Sequence, residues 1–281
     1  MCASNTKVGV YVDSSNIAMN GGYGMQYDVL REFACHDGGE AVRLHAYVAF
    51  DRERAELDTV YAEGQRSFHA SLRDLGYKVI QKPVKRFKDD TGQEIIKSNS
   101  DLDMAVDILL NADRLDRIVL VTGDGDFVRV VHALQERGCR VELVAFDNVS
   151  VELKQEVDMF MSGYLIPNLL PFRSVLRNAP AWGEMGSKVR GVCYYYRPQE
   201  GYGFMRFLKR MTGNFWVPDT RRPESPFDTA YFHHTYFTEI SDLEQVIQQL
   251  PNRDYIFEFE LHRSQRGEGW EAKNIKIAAR P

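Results

Sequence analysis

Apolar runs alternate with segments of helical periodicity along the first part of the chain. Five short runs rich in β-branched residues predict strands: Lys7–Val12, Arg43–Phe50, Tyr77–Gln81, Arg117–Val121 and Arg140–Phe146. Between them, apolar residues three and four positions apart predict helices: Tyr27–Ala34, Glu53–Leu75, Asp101–Ala112 and Phe127–Leu134. Strands that alternate with helices indicate βαβ units, hence an α/β domain with a mainly parallel sheet covered by helices on both faces.

The pattern changes after Leu170. Residues 171–187 contain Pro171, Pro180, Gly183 and Gly186 with little periodicity, which predicts a linker between a domain at 1–170 and another at 188–281. The second domain shows short strand-like runs separated by turn residues: Gly191–Tyr196, Gly203–Phe207, Ala230–His234, Ile256–Leu261 and Ala272–Ile277. Such a succession predicts a small β-barrel or sandwich.

Composition places the chain among ordinary soluble proteins. Hydrophobic residues make up 44% and charged residues 27% of the 281 positions, and no apolar run is long enough to span a bilayer. The four cysteines are scattered without a Cys-x-x-Cys pair, which favours a reducing compartment over a disulfide framework or a zinc site. We therefore expect a cytoplasmic protein that does not bind membranes, and leave open whether it forms a homodimer.

Candidate acids follow two of the predicted strands. Asp13 and Asn16 come directly after the first strand, and Asp124 and Asp126 follow the strand that ends at Val121. If those strands are neighbours, both sets reach one crevice at the carboxyl edge of the sheet, where ligands bind in open α/β folds. Clustered carboxylates repel one another, and a hard cation such as Mg²⁺ or Mn²⁺ relieves that repulsion. Alternatively, the Asp-Gly steps are ordinary turn chemistry.

A third acidic segment opens the predicted helix at Asp101. Asp101 and Asp103 complement the helix dipole in the first turn, and Ser100 with Asp103 resembles a capping box, so both acids have a structural explanation. Asp107 lies one turn further along the same face. Whether Asp103 or Asp107 joins a metal site is open at this point.

A basic segment precedes that helix. It includes Lys82, Lys85 and Arg86, and Lys97 follows shortly before Asp101. A charged loop containing a proline is often simply solvated. Beside an acidic metal site, however, such a basic lip can hold a phosphodiester backbone.

These motifs resemble those of NYN domains, the LabA-like branch of the PIN-like nucleases. Asp13-Ser14-Ser15-Asn16, then Lys97 to Asp107, then Thr122-Gly123-Asp124-Gly125-Asp126-Phe127 occur in the family's order. The resemblance implies a Rossmann-like, three-layer α/β/α fold and a metal-dependent ribonuclease site. Asp13, Asp101, Asp124 and Asp126 would hold the metal, and Asn16 would orient Asp13 or the water. Ser14 and Thr122 depart from the family's usual Gly and Ser without removing a ligand.

Aromatic residues cluster in the second domain. Tyr202 and Phe204 alternate around Gly203 and so share one face of a strand, which indicates either core packing or an exposed platform for stacked bases. The segment resembles a cold-shock-type OB barrel. The resemblance implies RNA contacts by Tyr195, Tyr202, Phe204, Tyr231 and His233. Glu200 replaces a usual lysine and weakens phosphate contact, for which Arg221 and Arg222 of a longer insertion are expected to compensate.

We therefore expect a ribonuclease that cleaves single-stranded RNA with water activated by carboxylate-bound Mg²⁺ or Mn²⁺, and that captures the RNA on its C-terminal barrel. A non-catalytic RNA-binding regulator with a vestigial or structural metal site is the alternative. A nucleotide-binding α/β enzyme is disfavoured because no Gly-x-Gly-x-x-Gly follows the first strand.

Overall fold

A computed structural model describes residues 5–88, 94–97, 101–172, 179–212, 214–264 and 269–281. The chain divides into two units, residues 1–161 and 162–281, so the division lies several residues before the predicted boundary at 170. The predicted α/β domain and small barrel are both present and are described separately below.

The first unit alternates strands and helices as the apolar pattern predicts. Its strands are β1 (Lys7–Asp13), β2 (Glu40–Phe50), β3 (Lys78–Pro83), β4 (Lys85–Lys88), β5 (Glu94–Lys97), β6 (Arg117–Val121), β7 (Arg140–Ala145) and β8 (Met159–Ser162). Its helices are α1 (Ser14–Ile17), which continues into a π-helix (Ala18–Gly22), α2 (Tyr27–Ala34), α3 (Arg52–Leu57), α4 (Thr59–Asp74), α5 (Asp101–Asn111), α6 (Val128–Glu136) and α7 (Val151–Glu156). Short 3₁₀ turns follow α5 at Ala112–Arg114 and precede α6 at Gly125–Phe127, and a third, at Gly163–Leu165, follows β8 just beyond the division between the units.

The main sheet has the strand order β3-β2-β1-β6-β7-β8. The pairs β1–β2, β2–β3, β1–β6 and β6–β7 are parallel. Val10 and Tyr11 point to opposite faces of β1, yet both are fully buried. A parallel sheet covered on both faces explains why its strands read as continuous apolar runs. The predicted Rossmann-like, three-layer α/β class is thereby confirmed.

Polar caps set where the helices begin. Asp58 accepts a hydrogen bond from the backbone N–H of Tyr61 and starts α4, which is why the predicted helix Glu53–Leu75 is two helices instead of one. Ser150 starts α7 in the same way through the N–H of Leu153. A side-chain oxygen that satisfies a free N–H at a helix start typically stabilises the helix by about 1 kcal/mol.

The basic segment predicted as a loop contains an antiparallel hairpin. Strands β4 and β5 pair with Lys85 opposite Lys97 and Arg86 opposite Ile96. Alternating charged and apolar residues on so short a segment gave no clear strand signal. The hairpin leads toward α5, but Ser98, Asn99 and Ser100 lie outside the described residues, and so does the predicted capping box.

The second unit contains a closed five-stranded barrel. Its strands are β9 (Lys188–Arg197), β10 (Tyr202–Leu208), β11 (Phe227–His233), β12 (Ile256–Arg263) and β13 (Trp270–Ala279), joined in the order β10-β11-β13-β12-β9. The pairs are antiparallel except β11–β13, which is parallel. A 3₁₀ turn (His234–Tyr236) and helix α8 (Leu243–Gln248) lie between β11 and β12.

Part of the segment predicted as a linker packs on this barrel. The indole N–H of Trp182 donates to the carbonyl of Leu208 at 2.7 Å, and the ring packs against the barrel core. The N–H of Gly186 donates to the carbonyl of Leu261 at 2.7 Å. Residues 179–187 are therefore part of the folded second unit, while 173–178 lie outside the described residues.

Within the described ranges, no helix is both long enough and apolar enough to cross a membrane. Cys35, Cys139 and Cys193 are free thiols. The predicted pattern of scattered, unpaired cysteines holds for these three.

Candidate functional site

The candidate site begins where two neighbouring parallel strands end. In the pairing of β1 with β6, Val12 lies opposite Val121, so Asp13 and Thr122 leave the sheet side by side. Adjacent strands are about 4.8 Å apart. The condition on which the predicted site depended, that these two strands are neighbours, is therefore met.

Asp13 is a buried carboxylate that also starts a helix. Only 4% of its surface is exposed, and its Oδ1 accepts hydrogen bonds from the backbone N–H groups of Ser15 and Asn16 at 3.1 and 3.0 Å. Aspartate at this position caps helix α1. Helix capping explains the local geometry of Asp13, but a capping residue does not need to be buried.

Asp101 meets Asp13 from the first turn of α5. The pKa of Asp13 is raised to about 6, chiefly by burial and also by the neighbouring charge of Asp101 and a hydrogen bond between the two carboxyl groups. The two backbone N–H groups lower it. Two carboxylates from segments far apart in the sequence thus share a small, partly dry space, an arrangement that favours either a shared proton or a bound cation.

Asp124 and Asp126 lie in the turn that follows β6. Asp124 is half-buried and accepts from the backbone N–H of Asp126 at 3.0 Å, while its own N–H donates to Thr122 Oγ1 at 3.2 Å. Asp126 is exposed. Gly125 leaves no room for a side chain, since a Cβ there would lie 2.8 Å from Ser150 Oγ.

Asn16 joins the two turns. Its Oδ1 accepts a hydrogen bond from the backbone N–H of Gly123 at 2.9 Å. The side-chain carbonyl is therefore engaged in holding the turn after β6 against the turn after β1, while the backbone N–H of Asn16 contacts Asp13. Asn16 was predicted to orient Asp13 or a water molecule. Its backbone N–H contacts Asp13, whereas orientation of water by its side chain stays a prediction.

The donor atoms suit a hard divalent cation. The pair Asp13–Asp101 offers carboxylate oxygens without sulfur or imidazole, the set that Mg²⁺ and Mn²⁺ prefer. In the part of the chain that the structure describes, no group of three or more His, Cys, Asp or Glu side chains is close enough to hold an ion together. The structure therefore brings two of the four predicted metal ligands into contact, and the inclusion of Asp124 and Asp126 stays a prediction.

The two further acids of α5 have other partners. Asp103 forms an ion pair with Lys82. Asp107 accepts a hydrogen bond from Tyr47 Oη at 2.7 Å and lies 4.0 Å from His45 Nδ1. Both carboxylates thus have partners other than the Asp13–Asp101 pair, and whether either joins a metal site stays open.

The basic segment is only partly described. Lys82 is engaged with Asp103, so its charge is already balanced. Lys85, Arg86 and Lys97 lie on the β4–β5 hairpin, with Lys85 and Lys97 directly opposite each other, but their side chains lie outside the description. RNA contact by these four residues stays a prediction.

Four aromatic residues of the second unit lie side by side on the outer surface of the barrel. Strand pairing places Phe204 between Tyr195 on β9 and Tyr231 on β11, and Tyr202 opposite His233. The ring of Phe204 lies 6.0 Å from those of Tyr195 and Tyr231, and the rings of Tyr202 and Tyr231 stack at 5.9 Å. We call Tyr195, Tyr202, Phe204 and Tyr231 the aromatic face. All four are partly exposed, whereas Tyr196, Met205, Phe207 and Phe232 fill the core.

A β-bulge adds a residue that sequence reasoning missed. The pairing of β9 with β10 shifts between Cys193 and Tyr195, so Tyr194 is the extra residue. Its ring lies 6.5 Å from that of Phe204 and 5.7 Å from the Arg206 guanidinium. The run Tyr194-Tyr195-Tyr196 was the available signal, but a bulge that changes which ring faces outward is not visible in a strand pattern.

The arginines expected to compensate for Glu200 are engaged locally. Glu200 itself accepts from Arg197 at 3.0 Å, and Arg197 also donates to Tyr195 Oη at 2.7 Å. Arg221 binds Asp219 through two nitrogens, and Arg222 pairs with Glu224. Both arginines are thus paired with carboxylates of the same insertion, and compensation for Glu200 by Arg221 and Arg222 stays a prediction.

Known proteins resemble the first part of the chain. The sequence model of the family described as NYN domain matches residues 7–168, more than half of the chain. The low amplitude and bright protein LabA of Synechococcus elongatus is 26% identical over 163 residues, which cover 56% of this chain and 83% of that protein. A solved structure of a protein of unknown function (VPA0982) from Vibrio parahaemolyticus is 25% identical, with a TM-score of 0.47, and covers 58% of this chain and 96% of that chain.

Proposed function

Because the chain belongs to the NYN domain family, a family of PIN-like nucleases, we propose that it is a metal-dependent ribonuclease acting on single-stranded RNA. The observation that carries the proposal is the contact between Asp13 and Asp101 at the carboxyl edge of the sheet. A buried pair of carboxylates without a compensating charge destabilises the folded protein. A divalent cation would offset that cost, because it carries the opposite charge and prefers oxygen donors.

The proposed division of roles follows from the position of each residue. Asp13 and Asp101 hold Mg²⁺ or Mn²⁺, with Asp124 and Asp126 as further oxygen donors from the neighbouring turn. When bound, such an ion lowers the pKa of a water molecule and stabilises charge on the phosphate. Asn16 keeps the two turns in register through Gly123. Lys85, Arg86 and Lys97 bind the phosphodiester backbone beside the acids, and Lys82, which pairs with Asp103, joins them only if that ion pair opens.

The barrel is proposed to capture the RNA. A closed five-stranded barrel in which the third and fifth strands are parallel fits an OB-type, cold-shock-like module. The aromatic face, together with His233, offers partly exposed rings on which successive bases stack. Stacking contributes about 1–3 kcal/mol per base and requires no particular sequence, which suits a single-stranded substrate.

The decisive experiment compares Asp13→Asn and Asp101→Asn with the wild type. Both variants are expected to lose cleavage of a labelled single-stranded RNA in Mn²⁺ and to bind Mn²⁺ more weakly by calorimetry, because each removes a charged oxygen donor. RNA affinity should stay within about twofold, since the stacking face is untouched.

Asp74→Asn is the matched control, because Asp74 is an exposed aspartate at the end of α4. It should cleave and bind Mn²⁺ as the wild type does. Full activity of Asp13→Asn with unchanged metal dependence would contradict the proposed site.

The second candidate is an RNA-binding regulator that does not cut RNA. It is favoured by one observation: among the described residues, no third acidic, histidine or cysteine side chain joins the Asp13–Asp101 pair. Incubating single-stranded RNA with Mn²⁺, with and without chelator, separates the candidates. Intact RNA in both samples, together with tight binding, would establish the regulator.

A further inference from the structure

A cavity of about 530 Å³ opens at the start of helix α1, next in the chain to Asp13. Its wall begins with Ser14 and Ser15, the two residues that follow Asp13 in the chain, and continues along helix α4. The Tyr27 hydroxyl donates to Ser14 Oγ at 2.9 Å, which fixes that ring at the cavity wall next to the acids. The cavity wall therefore begins one residue from Asp13 in the chain.

The walls are those of a site for a flat, weakly polar ring. The partly exposed rings of Tyr27, Tyr61 and Phe68 line the cavity together with Met25 and Val48. The rings of Tyr27 and Phe68 meet edge to face at 5.8 Å. Ligand sites are typically apolar clefts of 300–1,000 Å³ with a few polar groups that fix orientation.

One polar group in the wall has an unmet hydrogen bond. Gln65 lines the cavity, and its Oε1 is buried without a hydrogen-bond partner in the described part of the chain. A buried amide oxygen left unpaired is costly, and a turn of the Gln65 side chain toward the cavity would let a ligand N–H group recover that cost. The Watson–Crick edges of the nucleobases carry such N–H groups.

A glycine keeps the cavity open. Gly64 lies inside helix α4, where glycine is unfavourable, and a Cβ built on it would meet no atom within 4 Å. Nothing in the packing of the helix excludes a larger residue there. Gly64 is exposed and forms part of the cavity wall, so a long side chain at 64 would stand at the edge of the cavity.

From these observations we propose that the cavity binds the nucleobase of the nucleotide adjacent to the scissile phosphate, and that the Gln65 amide selects among bases by hydrogen bonding. The proposal rests on the proposed nuclease function for the identity of the neighbouring phosphate. Recognition of the base itself depends on the cavity alone.

The test measures binding and cleavage separately. Binding of AMP, CMP, GMP and UMP to the metal-free full chain is followed by ligand-observed NMR, in a Tyr202→Ala, Phe204→Ala background that removes stacking on the barrel. Gly64→Leu, which places a bulky side chain at the cavity wall without a clash, should weaken nucleotide binding by about tenfold, the order expected for one stacked base. Ribose 5-phosphate, which lacks a base, should bind poorly to both forms.

Gln65→Leu tests selection. It should reduce the difference in affinity among the four nucleotides, whereas Gln248→Leu, an exposed glutamine on α8, should leave that difference unchanged. In the cleavage assay, sequencing of product ends should show a base preference next to the cut that Gly64→Leu abolishes.

The two proposals fail in distinguishable ways. Equal binding of the nucleotides to wild type and Gly64→Leu, or equal binding of ribose 5-phosphate and the nucleotides, would overturn the base site even if RNA is cleaved. Nucleotide binding that Gly64→Leu abolishes, in a protein that cuts no RNA, would support the base site and overturn the nuclease.

Discussion

At the scale of single residues, Asp13 combines two roles that oppose each other energetically. As a helix cap it needs only an acceptor oxygen, which asparagine would supply equally well. As an acid it is buried beside Asp101, so its ionised form is destabilised. The charge at residue 13 is therefore a cost that folding alone does not require, as expected if Asp13 has the proposed role of metal ligand.

Removing the charge at residue 13 should therefore increase the free energy of unfolding, by an amount that depends on pH. The pKa of Asp13 rises from 3.8 to about 6 on folding, so the folded state binds the proton more tightly and stability from this group is lost as pH rises through 6. Asp13→Asn should raise the free energy of unfolding by about 1–3 kcal/mol at pH 7 and by little at pH 4. Denaturant unfolding at both pH values measures the difference. A gain of equal size at both would show that ionisation is not its origin.

Gly203 lies where the neighbouring strand and the core leave no space for a side chain. A Cβ at 203 would lie 2.4 Å from the backbone oxygen of Tyr195 and 2.7 Å from the Phe232 ring, so Gly203→Ala must push β9 and β10 apart. We expect a loss of about 1–3 kcal/mol. Because Trp182, Trp216 and Trp270 all lie in the second unit, tryptophan fluorescence follows its unfolding.

Gly64→Ala is the matched substitution, since Gly64 faces open space in a helix. It should stabilise the protein by about 0.5–1 kcal/mol, as measured from the helical circular dichroism signal. A destabilised Gly64→Ala variant would show that the helix depends on a contact other than those described.

At the scale of elements, strands β9, β10 and β11 act as one surface. Their register aligns Tyr195, Phe204 and Tyr231 in a row across the sheet, and the bulge at Tyr194 extends the row. Rings that contact one another sideways leave their outer edges and faces for a ligand, which is the form of a stacking platform.

Removing two of these rings should weaken RNA binding. Tyr202→Ala combined with Phe204→Ala should lower the affinity for single-stranded RNA by at least about tenfold in an anisotropy assay. Tyr202→Phe combined with Phe204→Tyr keeps both rings and should bind within about twofold of the wild type. Equal losses in the two double variants would mean that hydroxyl contacts, and not stacking, hold the RNA.

The elements also show what the sequence can and cannot predict. The strand at Arg117–Val121 was predicted with the observed ends, because every one of its residues is buried and the apolar run is continuous. The π-helix at Ala18–Gly22 and the hairpin β4–β5 were not predicted, since neither has an apolar period of its own. The bulge at Tyr194 and the contact between Asp13 and Asp101 depend on register and on packing between distant segments, which local patterns do not encode.

At the scale of the whole molecule, the negative net charge favours base stacking over phosphate contacts as the main source of the proposed RNA affinity. The chain carries a formal net charge of −5, and the Lys82, Arg197, Arg221 and Arg222 side chains are each paired with a carboxylate. Phosphate contacts release counterions and make binding strongly salt-dependent, whereas stacking does not.

RNA affinity should therefore depend weakly on salt. We expect the logarithm of the binding constant to fall with the logarithm of salt concentration at a slope shallower than about −2, equivalent to about three phosphate contacts on a single strand. If Lys85 and Arg86 contact the backbone, replacing both with alanine should make that slope shallower by about 1.4. A slope much steeper than −2 would assign binding to the cations instead of the aromatic face.

The hydrogen bond between Asn16 and Gly123 gives the site a built-in reporter. The backbone amide proton of Gly123 is hydrogen-bonded to the side chain of Asn16, which lies in a turn more than a hundred residues earlier in the chain. Its exchange with deuterium therefore requires the two turns to separate. A single resonance followed over time would thus record how long both halves of the cleft remain assembled, without any label or substrate.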